Sequence, residues 1–190
     1  AISANFINLA PFEVDAGIHR ALKQIGEFSD VDRSYVFLNS LEGKKMGNTH
    51  EWCAKGILPQ KENLQGVLVE QFPWGMERLK RFETINIPRV DDLPDDAIAE
   101  RVLQQSQKVQ SCVIVPMIYG GSLVGLLGFD SVRREKTWTL EDIGMLKMVA
   151  EIFVNALEHK RMDEELRKAN SELEIRVEER TLELSKTNVL

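Results

Sequence analysis

Hydrophobic residues at helical spacing open the chain. Between residues 12 and 29, Val14, Ile18, Leu22 and Ile25 recur among polar positions, which predicts an amphipathic helix with one apolar face. The polar stretch "DVDRS" ends the pattern.

Two strands are predicted next. "RSYVFLNS" and "MGNTHEWCAKG" are joined by the turn-like "LEGKK", and alternation places Tyr35 and Phe37 on one face, with Val36 and Leu38 on the other. The next segments predict a loop in "ILPQKENLQGV", a short helix in "PWGMERLKR" and a short strand in "ETINIP". A further helix is predicted to begin at Pro94, because proline lacks an N–H and two aspartates follow it.

The clearest hairpin lies in "SCVIVPMIYGGSLVGLLGFDSV", where two apolar runs meet at Gly120 and Gly121. Glycine adopts positive φ without strain, so this pair predicts a tight turn. Both runs are apolar at nearly every position, which indicates that both faces are covered. The hairpin is therefore predicted to lie centrally in a sheet, with helices on one side and other material on the opposite side.

A very long helix is predicted from Thr139 onwards. Thr139 is a suitable cap, and Asp142 can return the capping bond. No proline follows, and no glycine occurs after Gly144, so one helix can run to about residue 186. Its composition changes from apolar to charged near Leu157, which predicts a globular domain over 1–157 and a coiled-coil helix over 158–190.

The heptad pattern of this helix predicts a parallel homodimer through the terminal helices. Alternate steps of three and four residues pass through Asp163, Asn170 and Arg180, which weaken the seam, although Asn170 also favours one register and two strands. A solvated single helix is the alternative. The predicted seam consists of Val149, Ile152, Ala156, Leu166, Asn170, Leu173 and Val177.

Composition narrows the function classes. The 190 residues carry a net charge of −6 and are 43% hydrophobic, which is typical of one soluble domain with an extension. The acidic balance argues against a nucleic-acid surface. The sequence has no membrane-length apolar run and no signal peptide, so a cytoplasmic location is expected. The start without methionine and the end in mid-pattern suggest a fragment.

Candidate reactive residues are few. "NTHEWCAKG" holds His50, Glu51 and Cys53, but strand alternation places His50 on the face opposite the other two, which disfavours a metal site or a Cys–His nucleophile. Cys112 is interpreted as a small buried hydrophobe, and both thiols as reduced. His159 is interpreted as a linker residue. The segment is therefore expected to lack catalytic and metal sites.

Several of these segments together resemble a GAF domain, from about Asn5 to Ala156. They are "RSYVFL", "NTHEWC", "FPW", "INIPRVDDLPDDAIAE", "SCVIVPMIYGGSLVGLLGFD" and "W…LEDIGMLKMVAEIFVNAL". The resemblance implies an α+β fold with an antiparallel sheet of five or six strands, terminal helices on one face and a small-molecule pocket on the other. The charged ending resembles the signalling helix that joins bacterial sensory domains to histidine kinase, PAS or cyclic-dinucleotide output domains.

The resemblance also implies which residues face a ligand. Asp130 is the most informative of them, because a carboxylate that ends an apolar run needs a partner when buried. Neither cysteine precedes the histidine typical of bilin attachment, and the Asn-Lys-x-x-x-Asp-Glu signature of cyclic-nucleotide binding is missing. The ligand or cofactor therefore stays unknown. The candidate pocket residues are Tyr35, Phe37, Cys53, Trp74, Cys112, Ile114 and Asp130.

The resulting hypothesis is a cytoplasmic, non-enzymatic sensory module. It would bind a small molecule or sense a state, and transmit the change through a dimeric helix to a covalently linked output domain. The expected output domain is a histidine kinase of a two-component system. The alternatives are a ligand-free dimerisation or spacer module and a regulator of a cyclic-dinucleotide enzyme.

Overall fold

A six-stranded antiparallel sheet forms the centre of the computed structural model, which describes Phe6 and residues 9–187, with side chains as far as residue 184. The strand order is β3–β2–β1–β6–β5–β4, so the β5–β6 hairpin lies inside the sheet, as its unbroken hydrophobicity predicts. The predicted domain ranges also include residues 1–5, 7, 8 and 188–190, which lie outside the described part. The strands are β1 (Arg33–Asn39), β2 (Lys45–Cys53), β3 (Val67–Leu68), β4 (Ile85–Ile87), β5 (Ser111–Tyr119) and β6 (Ser122–Ser131).

The described α-helices lie on both faces of this sheet. The first half of α4 packs with α1 on one face, whereas α2 and α3 lie over the other. This arrangement confirms the α+β fold with terminal helices on one face. Among the described residues, no helix combines the length and hydrophobicity required to cross a membrane. The helices are α1 (Val14–Phe28), α2 (Pro73–Lys80), α3 (Ile98–Ser106) and α4 (Leu140–Thr187).

Strand alternation divides the core into two layers. Val113 and Val115 of β5 are buried against α1 and α4, whereas Cys112 and Ile114 belong to the opposite layer. In β1, Val36 faces the terminal helices, while Tyr35 and Phe37 share the other layer as predicted. One sheet therefore separates a closely packed helical side from the side that carries α2 and α3.

Two sequence predictions need correction. The sequence predicts no strand between β2 and α2, but the two-residue β3 lies there and pairs with Lys45 and Met46. A strand of two residues is too short to show any periodicity. The helix predicted to begin at Pro94 begins only at Ile98. Pro94 has an extended ψ of 161°, and a 3₁₀ turn over Asp95–Ala97 separates it from α3.

The predicted turn and helix cap are both present. Gly120 and Gly121 join β5 to β6 with φ values of 56° and 75°. The Thr139 N–H donates to Asp142 Oδ2 at 2.9 Å, and the Asp142 N–H donates to Thr139 Oγ1 at 3.1 Å. This reciprocal cap begins an unbroken helix of 48 residues.

The surface of α4 changes along its length. Val149 is only 3% exposed because it packs into the core beneath α1. Its predicted place in a dimer seam is therefore wrong, since the side chain has no surface left for a partner. Ile152 and Ala156 also pack partly against this core. Further along, Leu166, Leu173 and Val177 of the predicted seam are between 55% and 64% exposed.

A pair of Gly→Ala variants tests the packing of β6 against β1. A Cβ at Gly128 would overlap the ring of buried Tyr35, whereas one at Gly144 in α4 would meet no atom within 4 Å. We expect Gly128→Ala to lower the free energy of unfolding by about 1–3 kcal/mol through overpacking. Gly144→Ala should raise it by about 0.5–1 kcal/mol through helix propensity. Urea denaturation measures both, and equal effects would contradict the packing described.

Candidate functional site

A cavity of about 110 Å³ lies between the sheet and the layer formed by α2 and α3. Its wall is mainly apolar and includes Tyr35 and Phe37 from β1, Ile114 from β5, and Phe72 and Trp74 at the start of α2. An apolar cavity with a few polar groups is the usual form of a small-molecule site. The polar side chains on this wall are Arg33, Asn48, Glu51, Gln60, Glu100, Gln104, Gln107 and Asp130.

Asp130 is held by two buried partners from β1. Arg33 Nε donates to Asp130 Oδ2 at 3.0 Å, and the Tyr35 hydroxyl donates to Asp130 Oδ1 at 2.9 Å. The Arg33 and Asp130 side chains are each only 2% exposed. These are the partners that burial of Asp130 requires, and they connect β1 to β6 at one end of the cavity.

Burial dominates the ionisation of this cluster. It raises the pKa of Asp130 to about 6, although the charge of Arg33 and the hydrogen bonds from Tyr35 and Arg33 act in the opposite direction. The pKa of Tyr35 is raised as well, first by burial and then by the neighbouring Asp130 charge. Asp130 therefore changes charge close to neutral pH.

A bulge in β2 places an unpredicted residue on the cavity wall. Val36 pairs with His50, but the next residue, Phe37, pairs with Asn48, so Thr49 is the extra residue. Simple alternation from Glu51 would place Asn48 on the helical face. The bulge instead brings it to the cavity, where its Nδ2 donates to Glu51 Oε1 at 3.3 Å.

Glu51 fixes the loop that follows β2. Its carboxylate accepts N–H bonds from Gln60 at 2.9 and 3.1 Å and from Lys61 at 3.0 Å. The backbone amides of a 3₁₀ turn therefore hold this carboxylate at the edge of the cavity. Gln60 and Lys61 lie in a loop without hydrophobic periodicity, so no sequence pattern predicts their contact with Glu51.

The layer over the cavity is fixed by Glu100 of α3. Glu100 Oε1 accepts the Gly75 N–H of α2 at 2.8 Å, which joins the two short helices. Beside it, the Arg78 guanidinium stacks 4.0 Å from the Trp74 ring centre and donates to the Trp74 carbonyl at 2.9 Å. Trp74 is thus held over the cavity by its own helix.

The structure brings five of the seven candidate pocket residues to the cavity wall: Tyr35, Phe37, Trp74, Ile114 and Asp130. Cys53 and Cys112 are not among the lining residues, so their candidate role needs correction. Cys112 is completely buried in the layer beneath the cavity, and Cys53 ends β2. Burial raises the pKa of Cys53 to about 11, and burial also raises the pKa of Cys112 well above its usual value. Neither thiol is activated.

His50 lies on the opposite face from Glu51, as strand alternation predicts. Its Nε2 is 3.3 Å from Asp15 Oδ1 of α1, and its Nδ1 is 2.9 Å from Thr49 Oγ1. Burial lowers the pKa of His50, although Asp15 partly opposes this effect. Within residues 9–184, no group of three or more His, Cys, Asp or Glu side chains is placed to hold a metal ion.

The raised pKa of Asp130 gives a pH prediction. Asp130 has a higher pKa in the folded chain, about 6, than the ordinary value of 3.8. The native state therefore binds the extra proton between these values, and its stability should fall by a few kcal/mol from about pH 4 to pH 6. Denaturation curves give the free energy of unfolding of the wild type and of Asp130→Asn at each pH. The difference between the two values isolates the part of the stability that depends on the ionisation of Asp130.

Tyr35→Phe provides the control for this titration, with the stability of Tyr35→Phe compared with that of the double variant Tyr35→Phe, Asp130→Asn at each pH. The variant lacks a hydrogen bond that lowers the pKa of Asp130, so the midpoint of this difference curve should move to higher pH. A difference curve that rises with pH, or a midpoint that moves down in Tyr35→Phe, would contradict the described electrostatics.

Comparisons with known proteins agree with this architecture. The blue-light-absorbing form of the PixJ GAF domain from Thermosynechococcus elongatus superposes with a TM-score of 0.68 at 17% identity. The match covers 86% of this chain and 96% of that structure. At such low identity the likeness shows the fold alone.

Two curated relatives are histidine kinases by name. The methanogenesis regulatory histidine kinase FilI of Methanothrix harundinacea is 29% identical over 184 residues, which cover 93% of this chain and 20% of that protein. The circadian input-output histidine kinase CikA of Thermosynechococcus vestitus is 26% identical over 169 residues, which cover 85% of this chain and 23% of that protein. The chain thus spans about a fifth of the length of these relatives. A family model described as "GAF domain" matches residues 13–157, and the chain therefore belongs to the GAF domain family.

Proposed function

We propose that this GAF domain senses a small molecule in the cavity and transmits its binding through α1 and α4 to a covalently linked output domain. A histidine kinase is the proposed output, because the curated relatives carry that name and extend well beyond the length of this chain. The segment itself is proposed to be non-catalytic.

The observation that carries this proposal is a set of buried polar atoms in residues that line the cavity. Arg33 Nη2, Asn48 Oδ1, Trp74 Nε1 and Glu100 Oε2 make no hydrogen bond within the described part of the chain. An unsatisfied buried polar group costs about 1–3 kcal/mol. Four such atoms around one cavity are therefore better explained by a polar ligand than by a spacer domain packed only on itself.

Strand β2 connects the cavity to the terminal helices. Glu51 forms part of the cavity wall, and the adjacent His50 projects to the opposite face and contacts Asp15 of α1. Asp15 Oδ2 in turn accepts a bond from Lys160 Nζ of α4 at 2.6 Å. A change in the position of β2 therefore acts on both helices at the point where α4 leaves the sheet.

The Asp15 carboxylate is charged at neutral pH. Partial burial raises the pKa of Asp15, but the bonds and charges of Lys160 and His50 outweigh it and hold the pKa below its usual value. Lys160 is 22% exposed and Asp15 is 52% exposed, so solvent screens much of the attraction between the two charges. A ligand shifts such a contact only if it binds one arrangement of the domain more tightly than another.

The exposed end of α4 provides the proposed dimer contact. Leu166 and Leu173 occupy d-type heptad positions, and Val177 an a-type position, which together favour a two-stranded parallel coiled coil. Asn170 lies between the two leucines and favours the same register. A dimer would bring two output domains together beyond the described part of the helix.

Native mass spectrometry with a cavity-filling variant tests the sensory proposal. Ile114 lines the cavity, whereas Ile118 lies on the same strand and is 36% exposed. We expect the purified wild type and the Ile118→Trp control to retain a small molecule that is released on denaturation. Ile114→Trp should lose it because the indole occupies the cavity. A wild-type chain with no bound molecule would favour the alternative, a dimerisation or spacer module.

The dimer proposal is tested on α4 with two matched variants. Leu173 lies on the heptad seam, and Ile175, with nearly the same exposure (58% against 55%), lies off it. Leu173→Glu should convert a dimer to a monomer, because it places like charges face to face, whereas Ile175→Glu should leave the dimer intact. Light scattering of both variants and the wild type measures the mass. A monomeric wild type would refute the seam.

A further inference from the structure

We propose that the cavity selects small nitrogenous cations, compounds that present N–H donors and a positive charge, over carboxylates of the same shape. This inference rests on the proposed function, since it names the class of ligand that the same cavity would sense. It follows from the acceptors, charges and dimensions of the cavity wall.

Glu100 provides the principal acceptor. Its Oε1 is occupied by the Gly75 N–H, and this bond fixes the carboxylate between α2 and α3. Its Oε2 is buried and makes no hydrogen bond to any described residue. A carboxylate oxygen accepts hydrogen bonds and cannot donate them when ionised. The group that satisfies this atom must therefore supply a proton, most strongly from a charged nitrogen.

Asn48 adds a second acceptor with a defined orientation. Its Nδ2 donates to Glu51 Oε1 at 3.3 Å, so the amide carbonyl is the end left for the cavity. Asn48 is 1% exposed, and its Oδ1 lacks a hydrogen bond in the described structure. The β2 bulge is what presents this oxygen to the cavity. Two acceptors on different walls thus require hydrogen-bond donors on the ligand, of which charged N–H groups bind a carboxylate most strongly.

The formal charges on the wall favour a cation. Three carboxylates, those of Glu51, Glu100 and Asp130, face one guanidinium, that of Arg33. The Arg33 charge is paired with Asp130 at 3.0 Å. Arg78 contacts the Trp74 ring but is not part of the cavity lining. In a mainly apolar cavity that is only partly open to solvent, the remaining negative charge repels an anion more strongly than it would in water.

The remaining donors on the wall accommodate one acceptor on the ligand. Arg33 Nη2 and Trp74 Nε1 are buried and make no hydrogen bond among residues 9–184. They can bind a carbonyl or hydroxyl oxygen of an amine-bearing compound. Because Asp130 already neutralises Arg33, these donors do not by themselves compensate a free carboxylate.

The dimensions of the cavity indicate a compact, flat ligand. An engineered cavity of about 150 Å³ binds benzene, and this one is about 110 Å³. Tyr35 and Phe37 line it in an edge-to-face arrangement with ring centres 5.6 Å apart, and Phe72 and Trp74 complete the aromatic wall. Aromatic faces attract cations. A single charged ring or a short amine is the expected size.

Three probes of nearly identical shape separate charge from size: benzamidinium, benzamide and benzoate. The chain has three tryptophans, and the indole N–H signal of Trp74, identified with Trp74→Phe, reports binding within the cavity. We expect this signal to shift with benzamidinium, and the affinity for benzamidinium to exceed that for benzoate by about tenfold or more, the effect of one charged hydrogen bond. Benzamide should fall between them.

A matched pair of variants assigns this selectivity to Glu100. Glu100→Gln retains an oxygen that can accept the Gly75 N–H but removes the charge, so it should weaken benzamidinium binding by about tenfold while leaving benzamide nearly unchanged. Glu70→Gln makes the same chemical change at an exposed residue outside the cavity lining, and it should bind all three probes as the wild type does. Thermal unfolding verifies that both variants fold.

The outcomes separate this inference from the proposed function. Equal or tighter binding of benzoate overturns the cation class, and so does a benzamidinium preference that survives in Glu100→Gln. If none of the probes shifts the Trp74 signal, the inference is also overturned. The sensory proposal is judged independently, by the molecule retained in native mass spectrometry.

Discussion

Burying a carboxylate at the end of an apolar strand is energetically unfavourable, and the arrangement of this domain follows from the groups that compensate Asp130. Its two oxygens are bound by Arg33 and Tyr35 of the neighbouring strand, which fixes the β1–β6 pairing beneath the cavity. Gly128 leaves room for the Tyr35 ring. The same interaction thus holds two central strands together and gives the cavity its polar end, and it opposes the rise in the pKa of Asp130 that burial causes.

One face of the sheet lines the cavity and the other packs against the terminal helices. Each strand contributes to both faces, because its side chains point alternately to one face and the other. On β2, Glu51 contributes to the cavity and His50 to the contact with α1. The helical face is closely packed and includes the completely buried Ile18, Leu146 and Phe153. The other face is covered by short helices joined through Glu100 and Gly75. A displacement of β2 on the cavity face would therefore be carried to the helical face through the shared backbone.

Long, regular patterns made most of the fold predictable. The apolar runs before and after Gly120 indicated a central hairpin, and the cap at Thr139 indicated the start of α4. The cavity was less predictable because its polar residues depend on irregular features. The bulge at Thr49 reverses the face of Asn48, and Glu100 enters the site only through a bond to a backbone amide of another helix. Val149 was misplaced because an apolar residue at this spacing fits both a coiled-coil seam and the buried face of a helix.

The unbroken course of α4 has a mechanical consequence. From Leu157 to Thr187 the helix advances about 45 Å at roughly 1.5 Å per residue. A stiff rod of that length acts as a lever arm, so a tilt of about 5° at the Lys160 contact would displace its far end by about 4 Å. A small change at the contact between Asp15 and Lys160 is thus magnified into a movement that approaches the pitch of one helical turn.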